Sequence, residues 1–315
     1  MSEALLNCGP IEYDDTGGDL PVVVFIGGLF IGTSLWDGVV ADLRADLRCI
    51  VPRLPWGAHR HPMRRDADLS ISGQTRVLAD FIDHLSLNDI TLVESDTAMA
   101  QLLVTFRPQR LGRVVFCSSE TADNYPPGLP GQAAALIAKL PGGVNIAMQQ
   151  MRFRAFRHSP IGFGRMAKRP IPEDVVKDWL APVLTQRAIR RDATKYLRSV
   201  RSSRSALKEA TERLHTFDRP TLVVWATEDR VMPLDQGKKL AESLRSSRFV
   251  EIADSYTLIA LDQPRLLAGE IRRFISETAT STNPLSRGVE PTDSRHRTRR
   301  RRSGGAVWGW NASVG

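Results

Sequence analysis

The feature that most constrains the fold is a regular alternation of short apolar runs with longer amphipathic stretches. Val22–Ile26 is a continuous apolar run that stops at a pair of glycines, and Ile90–Val93 is another such run. Between them, Ser72–Leu85 places apolar residues every three to four positions, which predicts a helix with one buried face. Fully apolar strands separated by helices are typical of a doubly wound, mostly parallel sheet in an α/β protein. The strands predicted in this way are Val22–Ile26, Cys49–Val51, Ile90–Val93, Val114–Cys117, Thr221–Trp225 and Phe249–Ile252.

The alternation is interrupted once, between residues 121 and 216. This segment begins with proline- and glycine-rich turns and continues with helical patterns, without an evident β run. We therefore expect a core formed by residues 1–120 and 217–281, with residues 121–216 inserted as a helical cap.

The net charge of +8 is unevenly distributed. Residues 282–315 carry seven arginines against Glu290 and Asp293, a net charge of +5, which leaves +3 for residues 1–281. This tail is rich in Ser, Gly, Thr and Arg and lacks the apolar content to fold, so we expect a basic, disordered extension. An arginine run can also hold phosphates or acidic lipids, and nucleic-acid binding through the tail is an alternative that we do not favour.

The cysteines and the N-terminus indicate a reducing compartment. Cys8, Cys49 and Cys117 are odd in number and widely spaced, and the first residues lack the cationic and apolar regions of a signal peptide. The sequence has no apolar run near the roughly 18 residues that a membrane span needs. We expect a cytoplasmic protein that acts on a small molecule, without a membrane span, cofactor or metal.

Ligands bind beyond the carboxyl ends of the strands in an open parallel sheet, so the residues after each strand are the candidate site. Residues 94–98 have the form of a nucleophile elbow, a tight strand-to-helix turn that exposes one side chain. With Asp96 at the apex, only Glu94 is bulky among the flanking residues, whereas Ser95 at the apex would be flanked by two β-branched residues. An aspartate before a helix is also a common N-cap, and this interpretation stays open.

Several segments together resemble the α/β-hydrolase superfamily over residues 20–277. Residues 27–30 stand where that family has its oxyanion loop, and residues 222–233 resemble the loop of the catalytic acid, which falls on Asp229. An aspartate in the elbow is similar to the epoxide hydrolase and haloalkane dehalogenase branches, in which the carboxylate attacks carbon and forms an ester. The resemblance implies Asp96 as nucleophile, Asp229 as supporting acid, and the backbone N–H groups of Leu29 and Thr97 as oxyanion donors.

The family's catalytic histidine is missing. The matching position, 28 residues after Asp229, is Thr257. Threonine has no group that titrates near neutral pH, so it cannot activate the water that hydrolyses a covalent intermediate. His59 and His61 follow the second predicted strand and are candidate substitute bases. The alternative for each is a loop histidine that binds backbone or faces water.

Two further marks of these branches are absent or ambiguous. The residue after the nucleophile is Thr97, where dehalogenases often have a tryptophan that donates to the halide, and this argues against dehalogenation. Epoxide hydrolases use cap tyrosines to protonate the opening ring. Tyr196 lies in the predicted cap and Tyr125 at its entrance, but both also fit ordinary amphipathic core positions.

The sequence therefore leaves two functional classes open. The first is a hydrolase of a small apolar ester, epoxide or related electrophile, bound between sheet and cap, with Asp96 as nucleophile or base. The second is a catalytically inactive protein that keeps the fold and the pocket and binds a ligand or a partner.

Overall fold

A computed structural model describes residues 1–281, which form one eight-stranded sheet with helices packed against it. The strands are β1 Ser2–Leu6, β2 Gly9–Asp15, β3 Val22–Ile26, β4 Arg48–Pro52, β5 Ile90–Ser95, β6 Leu111–Cys117, β7 Thr221–Ala226 and β8 Ser247–Ile252. Their order in the sheet is β1-β2-β4-β3-β5-β6-β7-β8.

The sheet is parallel from β4 to β8 and antiparallel only at its β1–β2 edge. β2 pairs with both β1 and β4 in the antiparallel sense, and every other neighbouring pair is parallel. All residues of β5, β6 and β7 are buried, as expected for central strands covered on both faces. The predicted α/β class and all six predicted strands are confirmed.

The β1–β2 hairpin is the part of the sheet that the sequence pattern did not predict. Only Ala4 in β1 and Ile11 in β2 are buried, and the other residues of both strands are partly or fully exposed. An edge hairpin with so little apolar content lacks the continuous run that identifies a central strand. Pro52, which follows the predicted strand Cys49–Val51 in the sequence, is the last residue of β4 and pairs with Tyr13.

The helices follow the predicted alternation. They are α1 Asp37–Leu43, α2 Ile71–His84, α3 Met99–Phe106, α4 Gly128–Ile137, α5 Gly143–Gln150, α6 Arg154–Arg157, α7 Glu173–Thr185, α8 Arg187–Arg213, α9 Leu234–Glu242, α10 Ile259–Asp262 and α11 Pro264–Ser281. No described helix is long and apolar enough to cross a membrane.

The described chain between β6 and β7 is helical throughout its regular elements. It contains α4 to α8 and short 3₁₀ turns, and no strand is assigned in this segment. These helices contribute much of the wall of a cavity that also reaches the carboxyl edge of the sheet. The division into a core and a separate cap at residues 121 and 216 stays a prediction, and the basic tail at 282–315 lies outside the described residues.

Candidate active site

Asp96 lies at the apex of a tight turn between β5 and α3. Its φ of +57° is in the left-handed region, which costs a residue with a Cβ of order 1–3 kcal/mol and persists only where the surroundings impose it. The helix α3 begins after Ala98, and no side chain caps its N-terminus at that position. The N-cap of α3 is Ala98 and not Asp96, and the strained strand-to-helix turn has the form expected of a nucleophile elbow.

Gly28 allows this turn to form. A Cβ atom at Gly28 would lie 2.2 Å from the Asp96 carbonyl oxygen and 2.4 Å from a carboxylate oxygen of the same residue. The loop after β3 therefore touches the elbow directly, and no side chain larger than hydrogen fits between them. The Asp96 N–H donates to the carbonyl of Ser118 at 3.3 Å, which ties the elbow to the end of β6.

The two amides expected as oxyanion donors lie on these same loops. Leu29 follows Gly28 and lines the cavity beside Asp96. The next residue, Phe30, has φ +61° and donates its N–H to the carbonyl of Trp56 at 3.0 Å. Within residues 1–281, the N–H groups of Leu29 and Thr97 have no hydrogen-bond acceptor from the protein. Both remain available to an oxyanion, and their role stays a prediction.

Asp229 and Thr257 are hydrogen-bonded to each other. The Asp229 Oδ1 atom accepts the Thr257 hydroxyl at 2.8 Å and the N–H groups of Val231 at 2.9 Å and Met232 at 2.8 Å. Burial raises the pKa of Asp229, and these donors oppose the shift. Its Oδ2 atom is buried and has no partner among the described residues. Thr257 thus donates its hydroxyl to Asp229, the residue that the expected histidine would contact through a ring nitrogen.

Neither candidate substitute base is bonded to Asp96. The buried His59 accepts the Gly57 N–H at Nδ1, 3.1 Å away, and its Nε2 lies 3.4 Å from the Asp192 carboxylate on α8. His61 is half-exposed, with its Nε2 atom 3.3 Å from Glu12. Burial lowers the pKa of His59, so its ring is a neutral link between the loop after β4 and α8. The geometry of both residues fits the structural alternative.

Glu120 is the residue at this site that the sequence analysis missed. It is buried, follows the end of β6, and lines the cavity together with Asp96. Its N–H donates to the Thr97 carbonyl at 3.2 Å, and its own carbonyl accepts the Gln101 amide at 2.6 Å, so its backbone is held against the elbow. Its Oε2 atom has no partner within the described residues. The signal was available, because the rule on carboxyl ends of strands applies to β6 as it does to β5.

Glu94 is hydrogen-bonded to the first turn of the helix that follows the elbow. Its carboxylate accepts the Ala100 N–H at 2.7 Å and so satisfies a free donor in the first turn of α3. Burial raises the pKa of Glu94 to about 8, and the Ala100 N–H opposes the shift. Glu94, the bulky residue of the elbow motif, therefore caps α3.

These acids share a region without a compensating positive charge. Burial and the nearby Asp229 carboxylate raise the pKa of Asp96 well above its usual range, and burial with the charges of Asp96 and Glu94 does the same for Glu120. No lysine, arginine or histidine is among the described residues that line the cavity. The raised pKa values favour the protonated form of each acid relative to an exposed carboxyl group. In the described chain, no three such groups are arranged to bind a metal ion.

The rest of the cavity is apolar apart from two phenols. It encloses about 1080 Å³ of empty space, part of it open to solvent. The Tyr125 and Tyr196 hydroxyls lie 3.4 Å apart and both side chains line the cavity with Asp96 and Glu120. The apolar wall includes Ile137, Val144, Met148, Met151, Phe156, Phe163, Met166 and Val200. Both tyrosines are buried, as expected of core residues, but their hydroxyl groups face the same space as the acids.

Comparison with known proteins identifies the fold family. A model of the alpha/beta hydrolase fold matches residues 21–264. A haloalkane dehalogenase of Mesorhizobium japonicum is 31% identical over 109 residues, which span only 34% of this chain and 34% of that protein. A 2-hydroxy-6-oxononadienedioate/2-hydroxy-6-oxononatrienedioate hydrolase of Paraburkholderia phymatum is 23% identical over 76% of this chain and 81% of its own length.

Solved structures match over nearly the whole described chain. A haloalkane dehalogenase from Bradyrhizobium elkani superposes with a TM-score of 0.73 at 19% identity, covering 89% of this chain and 99% of that one. A thermophilic esterase from Thermogutta terrifontis has a TM-score of 0.65 at 18% identity, with 88% and 99% covered. At such identities the likeness establishes the fold and does not transfer a substrate.

Proposed function

This chain belongs to the alpha/beta hydrolase fold family, and on that premise we propose that it hydrolyses a small, largely apolar electrophile, an ester or an epoxide, with Asp96 as nucleophile or general base. The observation that carries the proposal is the elbow itself. Asp96 is held at φ +57° against Gly28, at the floor of an apolar cavity beside Glu120 and two tyrosine hydroxyls. A strained residue that faces a cavity with several titratable groups is a typical catalytic arrangement.

The cavity supports the substrate class. Its wall is mostly aliphatic and aromatic carbon, which favours an apolar substrate. Burial raises the pKa of Tyr125 and of Tyr196, so both phenols stay protonated and act as hydrogen-bond donors. A pair of neutral donors suits the oxygen of an epoxide or of an ester carbonyl.

The chemistry can proceed in two steps. Because burial raises the pKa of Asp96, the reacting species is the fraction of molecules in which Asp96 has released its proton. In that fraction the carboxylate attacks an epoxide carbon, the C–O bond breaks, and the released oxygen takes a proton from Tyr125 or Tyr196. Water then adds to the carbonyl carbon of the Asp96 ester and the ester C–O bond breaks, which returns the carboxylate and releases a diol. One proton of the attacking water passes to the ionised form of Glu120 or Asp229 and from there to the phenolate that the first step left, and the other ends on the departing diol oxygen. Each of the two acids has a buried oxygen without a partner in the described chain.

Dehalogenation is a less suitable reaction, although several matched proteins are haloalkane dehalogenases. The residue after Asp96 is Thr97, and no tryptophan is among the described residues lining the cavity. A halide leaving group would find neither an indole N–H nor a cation beside Asp96. The phenols favour an oxygen leaving group.

A second candidate function is ligand binding without turnover. The observation that favours it is the hydrogen bond of 2.8 Å between Thr257 and Asp229, which satisfies the acid without supplying a base. A protein of this kind would bind the same apolar ligands in the same cavity.

Covalent labelling at Asp96 separates these candidates. We would incubate the protein with styrene oxide and with p-nitrophenyl esters and examine the peptides by mass spectrometry. Turnover or an Asp96 adduct that disappears in Asp96→Asn supports the hydrolase. The control is Asp66→Asn, because the Asp66 side chain is 74% exposed and does not line the cavity. Binding of these compounds that raises the melting temperature equally in wild type and Asp96→Asn, without adduct or product, supports the ligand-binding candidate.

Thr257→His tests the missing base. An imidazole at this position would contact Asp229 and could activate water, so we expect an adduct that accumulates in the wild type to be released at least about tenfold faster. Thr257→Ser keeps the hydroxyl and is the matched control. Because Thr257 is fully buried, the melting temperature of each variant shows whether it has folded. A folded Thr257→His variant with unchanged adduct lifetime would indicate that Asp229 does not serve the reaction.

A further inference from the structure

Exposed large apolar side chains are concentrated on the outer surface of the helices that cover the cavity. We name these residues the roof face: Leu129, Leu136, Leu140, Ile146, Phe153 and Ile161. Three of them, Leu136, Ile146 and Phe153, have 62–63% of their surface exposed. The other described exposed apolar residues are dispersed over the rest of the chain. A cluster of this kind marks an interaction surface.

The helix α4 shows why this surface is unusual. It contains no charged residue, its Ala134 and Ile137 line the cavity, and Leu129 and Leu136 are exposed on its outside. Gln132 is the one polar side chain of α4 and lies on the exposed side with them. A helix with apolar residues on both sides is normally buried in a protein core or in lipid. Here one side is buried by the cavity wall, and the opposite side has no cover.

The charge around the roof face has one sign. No aspartate or glutamate occurs from residue 124 to 172, whereas seven lysines and arginines do. Arg157 and Arg154 face Glu173, and Lys168 and Arg169 pair with acids of the sheet side. The remaining cations, Lys139, Arg152 and Arg165, have no carboxylate within 4.0 Å in the described structure. Lys139 and Arg152 directly precede the roof-face residues Leu140 and Phe153 in the chain.

The helix α8 adds further cations at the same place. Arg198 donates to the carbonyl of Ala138 at 3.0 Å, at the turn between α4 and α5. A surface groove there is lined by Leu140, Arg187 and Arg198, among others. Apolar side chains and arginines are thus adjacent in space as well as in sequence.

We propose that the roof face docks on the surface of a bilayer that contains anionic phospholipids. Apolar side chains interleaved with lysine and arginine insert at the boundary of headgroups and acyl chains, where the cations meet anionic lipid and the apolar groups leave water. The single sign of charge favours an anionic surface over a neutral or cationic one, because this stretch of 49 residues contains seven cations and no acid. The contact is peripheral, consistent with the lack of a spanning helix among residues 1–281.

The position of the cavity connects the proposed docking to the candidate active site. Ile161 is exposed and also lines the cavity that contains Asp96, so the cavity opens at the roof face. An apolar substrate dissolved in the bilayer could enter from the docked side. This second part rests on the proposed hydrolase function, whereas the docking itself does not.

Vesicle co-sedimentation of the full chain tests the docking. The probes are vesicles of phosphatidylcholine alone and of two parts phosphatidylcholine to one part phosphatidylserine. We expect binding only to the second kind, falling steeply with added salt. The triple variant Leu136→Ser, Ile146→Ser, Phe153→Ser should bind at least about tenfold more weakly, and Lys139→Gln or Arg152→Gln about fivefold more weakly each. The matched control is Phe106→Ser, Leu266→Ser, whose residues are 49% and 54% exposed elsewhere.

Several results would overturn the docking. They are equal binding to both vesicles, equal loss in the control variant, or binding that is lost when Arg299–Arg302 are replaced by glutamine but not in the triple variant. Self-association in solution that the triple variant abolishes would assign the face to a second copy instead. Asp96→Asn should bind vesicles like the wild type, so that a failure of the proposed chemistry is distinguishable from a failure of docking.

Discussion

The floor and the roof of the cavity differ in the charges that they carry. The floor, at the carboxyl edge of the sheet, brings together Glu94, Asp96, Glu120 and Asp229, and their pKa values are all raised, mainly by burial. We name residues 124–172, the segment that includes the roof face, the roof. The roof has seven cations and no acid, and none of these cations lines the cavity among the described residues. The opposite charges therefore do not neutralise each other.

This difference indicates what keeps the floor stable. In place of a cation, raised pKa values favour the protonated forms of the acids, and Asp229 accepts the Thr257 hydroxyl. The roof directs some apolar residues into the cavity and exposes others at the roof face, and Arg157 is the buried one among its seven cations. We consequently expect the stability of the floor to depend on pH, whereas the roof face is the surface that we propose to contact a membrane.

The largest expected effect is that of Gly28→Ala, which tests how tightly the floor is built. The new Cβ would lie 2.2 Å from the Asp96 carbonyl oxygen, so the loop and the elbow must separate. We expect a loss of about 1–3 kcal/mol in the free energy of unfolding and loss of any Asp96-dependent turnover. The matched control is Gly269→Ala in α11, where nothing lies within 4 Å of the new Cβ and a gain of about 0.5–1 kcal/mol is expected. Urea denaturation measures both, and equal effects would contradict the close contact.

The next effect is a dependence of stability on pH that comes from the floor. The folded pKa of Glu94 is about 8, above its ordinary value of 4.5, so between these values the native state binds more protons than the unfolded chain. Stability is therefore fully present below the lower value and is lost as pH rises through the window, by up to about 1.4 kcal/mol per pH unit for each such group.

Glu94→Gln tests this account, since glutamine keeps an acceptor for the Ala100 N–H without the proton. We expect the slope of unfolding free energy against pH between about 5 and 8 to become less negative by up to about 1.4 kcal/mol per unit. Glu209→Gln, at an exposed position on α8, should leave the slope unchanged. A wild type as stable at pH 8 as at pH 5 would show that the floor acids do not hold protons.

A smaller effect is expected for Thr257→Val, which removes the hydroxyl from Asp229. Two N–H donors remain on the Asp229 Oδ1 atom, so the loss should be about 1 kcal/mol, and the pKa of Asp229 should rise further. Thr257→Ser retains the bond and serves as the control. Thermal denaturation at constant pH measures the difference, and no change on removing the hydroxyl would mean that the bond contributes nothing to the floor.

The smallest effect on stability belongs to the roof. Ile161→Ala truncates a side chain that is 44% exposed, so the free energy of unfolding should change by less than about 0.5 kcal/mol. Because Ile161 also lines the cavity, a wider opening should lower KM for bulkier substrates without changing kcat for small ones. Leu20→Ala, similarly exposed but away from the cavity, is the control. A stability loss comparable to that of Gly28→Ala would remove the distinction between floor and roof.

Most of the fold was predictable, because central strands identify themselves by uninterrupted apolar runs. Each of the six predicted strands is present, and the segments after them include Asp96, Asp229 and Thr257, which the resemblance had already singled out. The β1–β2 hairpin was not predictable, since two buried residues do not make a pattern. The roof face was not predictable either, because a sequence does not distinguish an exposed leucine from a buried one.

The sequence by itself determined six of the eight strands, the aspartate in the turn after the third of them and the absence of a histidine 28 residues after Asp229. Only the tertiary structure decided that Glu120 joins the floor, that Glu94 caps α3, and that His59 is bonded to Asp192 and not to Asp96. The physical reason is that chain order determines which residues follow a strand. The direction in which a side chain points, and the partner that satisfies its hydrogen bonds, depend on packing between segments far apart in the sequence, 133 residues in the case of His59 and Asp192.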